Sequence, residues 1–126
     1  MGGSPIPPLS RRLVKTRDRG RCLRCGSPTR YGEWHHRRSR SVKGLHRHSA
    51  CNGVWLCHTC HRQVHKQPLD AKADGFIVSR YVDNPGEVPV KAWHGWVLLD
   101  DHGFFTYVDP PGEVGPEDRG QESTSG

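Results

Sequence analysis

The order of apolar and polar positions predicts short elements in the first half of the chain. Residues 10–17 predict a short helix with Ser10 as its N-cap, whose Arg and Lys side chains could face phosphates. Residues 34–36 predict an extended segment. Residues 58–66 predict a second helix, which ends before Pro68 because proline cannot continue a helix.

Past that proline the pattern changes to period two, which is typical of strands. Residues 75–82 predict one strand, and residues 96–99 and 104–108 predict a hairpin because turn residues separate them. Residues 109–126 contain almost no apolar side chain and predict a disordered acidic tail. Residues 1–9 are rich in Gly, Pro and Ser and predict a flexible N-terminus.

The composition indicates one small domain that needs a bound metal or a disulfide to stabilise its fold. The chain has 126 residues, and only 33% of them are apolar, which is little for a compact core. No apolar stretch is long enough to span a membrane or to form a signal peptide, so we expect a cytoplasmic protein. In a reducing compartment, five cysteines and nine histidines indicate metal rather than disulfides.

Charge is distributed unevenly along the chain. The formal net charge is +6, but residues 1–66 contain 15 Lys and Arg against two acidic residues, whereas residues 67–126 contain four against 11. The basic half also holds all the cysteines and seven of the nine histidines. A solvated basic face is one interpretation; a nucleic-acid partner is the one that we favour, because the positive charge surrounds candidate metal ligands.

Two Cys-x-x-Cys pairs, Cys22/Cys25 and Cys57/Cys60, predict a structural zinc site. Two thiolates from each of two tight turns give the closed tetrahedral set that Zn²⁺ favours. The 31 residues between the pairs must contain something folded. Cys51 is left over and is expected as a free thiol, with replacement of one ligand as the alternative.

A second constellation consists of histidines. His61 and His65 are four residues apart, so both imidazoles lie on one face of the predicted helix. His35 can supply a third ligand, and three imidazoles leave positions open for water and phosphate. His36 is then the candidate general base, and the amide of Asn52 could orient His36 or bind the metal.

Neighbouring residues on a strand point to opposite faces, so His35 and His36 can serve one site only if the strand is bulged or a phosphate lies between them. The remaining histidines of this half, His46, His48 and His58, are assigned to solvent or phosphate contact.

These motifs together resemble a known family. The segments that carry the resemblance are Cys22-x-x-Cys25, Trp34-His35-His36-Arg37 and Asn52-Gly-Val-Trp-Leu-Cys57-x-x-Cys60-His61-x-x-x-His65. They look like an HNH endonuclease of the zinc-stapled subtype found in actinobacteria and their phages. The resemblance implies a nuclease domain over 10–70 and a β-rich C-terminal extension over 71–109 packed on it. The composition adds the disordered acidic tail over 110–126. The resemblance also implies an α+β fold, a ββα-metal finger in a treble-clef zinc scaffold with a C-terminal hairpin.

Carried over by position, His36 matches the general base, and His35 matches the metal ligand before it. Asn52 and His61 match the other two catalytic motif residues, His61 also being a ligand, and His65 matches a further ligand seen in colicin-type nucleases. The chain departs from the family where Asp often stands at His35, and in having Cys51 before the Asn.

The activity that the resemblance implies is hydrolysis of DNA phosphodiester bonds with one catalytic divalent cation, Mg²⁺, Mn²⁺, Ni²⁺ or Zn²⁺. The products would carry 5′-phosphate and 3′-hydroxyl ends. The basic residues expected to hold the DNA backbone are Arg37, Arg38, Arg40, Lys43 and Arg47.

Two alternatives stay open at this point. A non-catalytic zinc module that binds nucleic acid would need the same cage and charge, but not His36 beside His35 together with Asn52 and His61. An accessory role in phage DNA packaging, beside a terminase, is implied by residues 75–108, which look like the tail of the phage versions.

Overall fold

The computed structural model describes residues 5–112 of a small mixed α/β chain with short helices and antiparallel strands. Two 3-10 turns, Ala50–Asn52 and Pro85–Glu87, accompany the helices and strands. In chain order these elements are α1 (Pro8–Arg17), β1 (Glu33–His36), β2 (Gly53–Leu56), α2 (His58–Lys66), α3 (Pro68–Ala73), β3 (Val90–Ala92), β4 (Gly95–Leu99) and β5 (Phe105–Tyr107).

The strands form two antiparallel sheets. Strands β1 and β2 pair along their whole length, from Glu33 opposite Leu56 to His36 opposite Gly53, without a bulge. Strands β3, β4 and β5 form a second sheet in sequence order. The β4–β5 hairpin confirms the hairpin predicted from residues 96–99 and 104–108. Strand β3 lies outside the predicted strands.

Helix α2 follows β2 directly because Cys57 caps it. The Cys57 Sγ accepts a hydrogen bond from the backbone N–H of Cys60 at 3.4 Å, which satisfies a donor that the first turn leaves without a helical partner. The helix ends at Lys66, as predicted. Pro68 then begins α3, since its fixed φ suits the first turn of a helix.

The core has two parts. The larger part joins the cysteine turns, β2, α2 and the second sheet, and the smaller part packs α1 against the first sheet. The larger part is built on Leu56, Val64, Phe76, Val97 and Leu99 with their neighbours, and the smaller on Val14, Trp34, Ala50 and Trp55.

A buried arginine links the turn before β2 to the segment that leads into the second sheet. Arg37 is 1% exposed and donates four hydrogen bonds of 2.6–3.0 Å to backbone carbonyls. The acceptors are the carbonyl oxygens of Cys51, Gly75, Pro85 and Val88. Burial lowers the pKa of Arg37 to about 9, so the group stays charged at neutral pH and these carbonyls stabilise it.

Two predicted elements differ from the structure. Helix α1 begins at Pro8 rather than after Ser10, because proline at the first helical position needs no N–H partner. Residues 75–82 do not form a strand, and only Val78 bridges to Arg38. Gly75 has φ +83°, a backbone conformation outside the strand region, so the chain turns where the pattern predicted a strand. A Cβ at this position would also collide with a backbone oxygen.

Parts of two predictions lie outside the described residues. They are residues 1–4 of the flexible N-terminus predicted over 1–9 and residues 113–126 of the predicted tail. Within 5–112, no helix has the length and apolar character that crossing a membrane requires.

Candidate metal centres

Four cysteines converge between the turn after α1 and the start of α2. The Sγ atoms of Cys22, Cys25, Cys57 and Cys60 all lie within 4.8 Å of one another, and those of Cys25 and Cys57 are 4.0 Å apart. Thiolates about 2.3 Å from a tetrahedral zinc ion are about 3.8 Å apart. We call this group the cysteine cage; it can hold a structural metal such as zinc.

Hydrogen bonds support the thiolate form of part of the cage. Arg24 donates from Nη1 to the Cys60 Sγ at 3.3 Å. Burial raises the pKa of Cys60 to about 12 and also raises that of Cys22. Burial acts in the same direction on Cys25, but hydrogen bonds from Ser27 and other cage groups outweigh it and lower its pKa to about 6. A bound cation removes the remaining thiol protons and neutralises the charge.

Three imidazoles form a second group, which we call the histidine cluster. His35 on β1 and His61 and His65 on α2 place ring nitrogens within 4.8 Å of one another. The Nε2 atoms of His61 and His65 are 3.2 Å apart, close to the separation of about 3.3 Å between two nitrogens on a tetrahedral zinc ion. The predicted ligands therefore meet at one point.

Hydrogen bonds fix the tautomers of two members of this cluster. The Nε2–H of His35 donates to the Phe76 carbonyl at 2.7 Å, which leaves the lone pair on Nδ1. The Nδ1–H of His61 donates to a Glu33 carboxylate oxygen at 2.7 Å, which leaves the lone pair on Nε2. The other carboxylate oxygen of Glu33 lies 2.5 Å from His58 Nδ1, so the exposed His58 contacts the residue that supports the cluster.

Burial keeps His35 neutral. It lowers the pKa of His35 to about 4, against the opposing effect of the bond to the Phe76 carbonyl, and the neighbouring His61 and His65 add to the lowering. His65 is exposed and His61 is half-buried. The cluster therefore opens to solvent on the α2 side.

His36 lies on the opposite face of β1 from His35, as a regular strand requires. Its ring packs edge-on against Trp34, 5.8 Å between centroids, and its Nε2 lies 3.1 Å from the Nδ1 of His48. Both His35 and His36 nevertheless line one pocket of about 410 Å³, which His61 and His65 also line. The pair can thus serve a group that sits in the pocket between them.

The surroundings of His36 are basic. Burial lowers its pKa to about 4, and electrostatic interactions with His48, Arg40, Arg47 and Arg11 lower it further in that order. His36 is therefore neutral at pH 7 and can accept a proton. Arg11 belongs to α1, so that helix contributes to the positive charge around His36, and its contact with phosphate stays a prediction.

Asn52 does not contact His36 directly. It is completely buried, and its side chain bonds the backbone N–H and carbonyl of Arg38 and the carbonyl of Arg47, at 2.7–3.1 Å. The expectation that its amide orients His36 or binds the metal is corrected accordingly. Its hydrogen bonds instead close the loop between β1 and β2, which carries His48.

Two of the predicted DNA-binding arginines are unavailable to a phosphate. Arg37 is surrounded by backbone carbonyls, and Arg38 donates to the carbonyls of Val82 and Asp83 at 2.7 and 2.9 Å and is 5% exposed. The prediction is wrong for this pair because both guanidinium groups point into the fold. Arg40 and Lys43 are exposed and Arg47 is half-buried, and for these three backbone binding stays a prediction.

Sequence reasoning missed two supporting residues, Glu33 and His48. The signal for Glu33 was available, because residues two apart on a strand share a face, and Glu33 is two residues before His35. No signal pointed to His48, since its approach to His36 depends on how a 16-residue loop closes.

Comparison of the chain with protein-family models, curated proteins and solved structures found no match in any of the three. The functional interpretation of these centres therefore depends on their own geometry.

Proposed function

We propose that the chain is a metal-dependent endonuclease of the HNH type that hydrolyses DNA phosphodiester bonds. One observation carries the proposal: three imidazoles with converging nitrogens and a fourth, neutral imidazole line the same pocket. A module that only binds nucleic acid needs neither the convergence nor the separate histidine. The four histidines are those that the family resemblance assigned to metal binding and to the general base, whereas Asn52, which it also assigned to catalysis, has a structural role.

The local fold supports the same assignment. A two-stranded antiparallel sheet, β1–β2, leads directly into α2, and the strand and the helix each contribute to the histidine cluster. This order of elements is that of a ββα-metal finger. The cysteine cage joins the turn after α1 to the first turn of α2, which is where a treble-clef zinc site would hold the finger.

His35, His61 and His65 are the residues that would hold the catalytic cation. A divalent ion there supplies Lewis-acid stabilisation of the charge that develops on the phosphate and on the leaving 3′ oxygen. Glu33 orients His61 and increases its basicity through the Nδ1–H bond. The exposed side of the cluster leaves room for phosphate oxygens and water.

His36 is the general base of the proposal. If His36 donates its Nε2 proton to His48, its Nδ1 lone pair is free to take a proton from the attacking water. The imidazolium that results keeps the hydrogen bond to His48. The basic side chains near His36, Arg40, Arg47 and Arg11, would bind DNA phosphates beside the scissile bond and oppose accumulation of charge on His36 before the reaction.

The test is nicking of supercoiled plasmid by the full chain with Mg²⁺, Mn²⁺, Ni²⁺ or Zn²⁺. We expect His36→Ala to cut at least about 100-fold more slowly than wild type, because general base catalysis contributes about 10²–10⁴. His102→Ala, at an exposed histidine of the β4–β5 turn, is the matched control and should cut normally.

Equal cutting by wild type and His36→Ala would overturn the proposal. DNA binding without cutting by any of the proteins, with every cation, would favour the non-catalytic zinc module. A packaging role beside a terminase is an extension of the nuclease activity and stays a prediction.

A further inference from the structure

A third group of metal-ligating side chains lies apart from the cysteine cage and the histidine cluster. It consists of His46 from the loop between β1 and β2, Cys51 from the 3-10 turn before β2, and Asp101 from the β4–β5 turn. Their ligand atoms all lie within 4.8 Å of one another. The connection between β1 and β2 and the β4–β5 turn, which are distant in sequence, therefore meet at this point.

The separations suit one small cation. His46 Nδ1 is 3.6 Å from Asp101 Oδ2 and 3.9 Å from Cys51 Sγ. On a tetrahedral zinc ion the corresponding separations are about 3.3 Å and about 3.6 Å. Each observed distance is a few tenths of an ångström longer, which side-chain rotation can close. The Oδ1 of Asn84, 3.8 Å from the Cys51 Sγ, lies beside the group as a neutral oxygen.

The chemistry of the donors also indicates a cation. One imidazole, one thiol and one carboxylate are the three ligand types that Zn²⁺ accepts. Without a cation, a carboxylate lies against a thiol that is 1% exposed. Burial and the contact with Asp101 raise the pKa of Cys51 to about 12, so the thiol stays protonated unless a metal displaces the proton.

We propose that His46, Cys51 and Asp101 form a third metal site, which takes a borderline-soft divalent cation such as Zn²⁺. Binding releases the thiol proton of Cys51 to solvent and forms a metal–thiolate bond. His46 and Asp101 are partly exposed, 25% and 45% at the side chain, so the cation enters from the surface. The bound ion would tie the β4–β5 turn to the loop that carries His48.

This proposal is independent of the nuclease activity, and cobalt spectroscopy tests it. The full chain is first loaded with one equivalent of Zn²⁺, which the four thiolates of the cysteine cage take. Co²⁺ is then titrated, and the thiolate-to-cobalt charge-transfer band is followed. The histidine cluster has no sulfur and cannot produce that band, so the band reports Cys51.

We expect wild type to develop the band to saturation at one thiolate-bound Co²⁺ per chain. Asp101→Asn, an exposed substitution, should weaken that binding at least about tenfold, as loss of even a supporting partner does. Cys51→Ser should remove the band. His102→Gln, the exposed histidine next to Asp101, is the matched control and should bind as wild type.

Absence of the band in wild type would overturn the third site. So would a band of full strength in Cys51→Ser, because it would show Co²⁺ exchanging into the cysteine cage. If Cys51→Ser fails to fold, the Asp101→Asn result decides: unchanged Co²⁺ affinity would contradict the proposal.

Discussion

The cysteine cage and the histidine cluster are neighbours on α2 but differ in the number and type of their ligands. The cage has four thiol ligands, of which Cys22 and Cys60 are buried, Cys57 is half-buried and Cys25 is exposed. The histidine cluster has three ligands, ends in the exposed His65, and borders a pocket of about 410 Å³. A complete set of four ligands suits an ion that holds the fold, whereas a set of three leaves a position at which an ion can bind water or substrate.

Helix α2 serves both centres with consecutive turns. Cys57 and Cys60 lie at its N-terminus, and His61 and His65 follow on the next turns. Any motion of the cage would therefore move the histidine cluster. We infer that the ion in the cysteine cage positions α2, and that the ion in the histidine cluster takes part in catalysis.

The largest expected effect is loss of the cage. Cys22→Ser combined with Cys57→Ser should remove the tightly held ion and unfold the chain, since structural zinc contributes about 10–16 kcal/mol in zinc-finger peptides. Zinc content and far-ultraviolet circular dichroism measure the two consequences. A variant that folds cooperatively without zinc would remove the distinction between the two centres.

A smaller effect is expected for the carboxylate behind the histidine cluster. Glu33→Gln should weaken binding of the exchangeable cation about 10–100-fold, because it removes the carboxylate that orients His61, and should leave the cage ion in place. Calorimetric titration with Ni²⁺ gives the affinity. The control is Glu87→Gln, at an exposed glutamate of the second 3-10 turn. Loss of the cage zinc in Glu33→Gln would show that the centres are not separable.

Prediction from sequence was accurate for features that depend on residues close to one another in the chain. The end of α2 followed from Pro68, and the β4–β5 hairpin followed from its own alternation. The placement of His61 and His65 on one face of α2 also followed from the helix period. These features depend on neighbours within a few residues.

The errors had distant causes. Arg37 was counted as a surface cation, but its acceptors lie up to 51 residues away along the chain. Residues 75–82 have the composition of a strand, but buried Phe76 and Val78 pack into the core from a turn. A single chain's pattern does not show which carbonyls a buried guanidinium will meet.

Substitution of His48 tests whether its hydrogen bond positions the His36 ring. His48→Ala should slow cleavage about tenfold at a saturating cation concentration, because the hydrogen bond that holds the His36 ring is lost. His48→Asn, whose amide oxygen can take the place of Nδ1, should restore most of the rate. Rates are measured by plasmid nicking under single-turnover conditions. Equal defects in both variants would mean that His48 acts only through the loop.

The smallest effect concerns the DNA backbone. Lys43→Ala should reduce the salt dependence of DNA affinity by about one unit of slope, since one phosphate contact accounts for about that much. Lys72→Ala, an exposed lysine of α3 in the acidic half, should leave the slope unchanged. Fluorescence anisotropy at several salt concentrations gives both slopes. A wild-type affinity that does not fall with salt would exclude the basic half as the binding surface.

The central claim is that one ion holds the fold and a second, exchangeable ion in the histidine cluster is required for cleavage. The most direct measurement is plasmid nicking during titration of Mn²⁺ into protein that retains its cage zinc, for wild type and His61→Ala. Mn²⁺ is chosen because thiolates bind it poorly. The account predicts no cutting before Mn²⁺ is added, cutting that saturates with Mn²⁺ at constant zinc content, and none by His61→Ala. Cutting that follows zinc content alone, or equal cutting by His61→Ala, would contradict it.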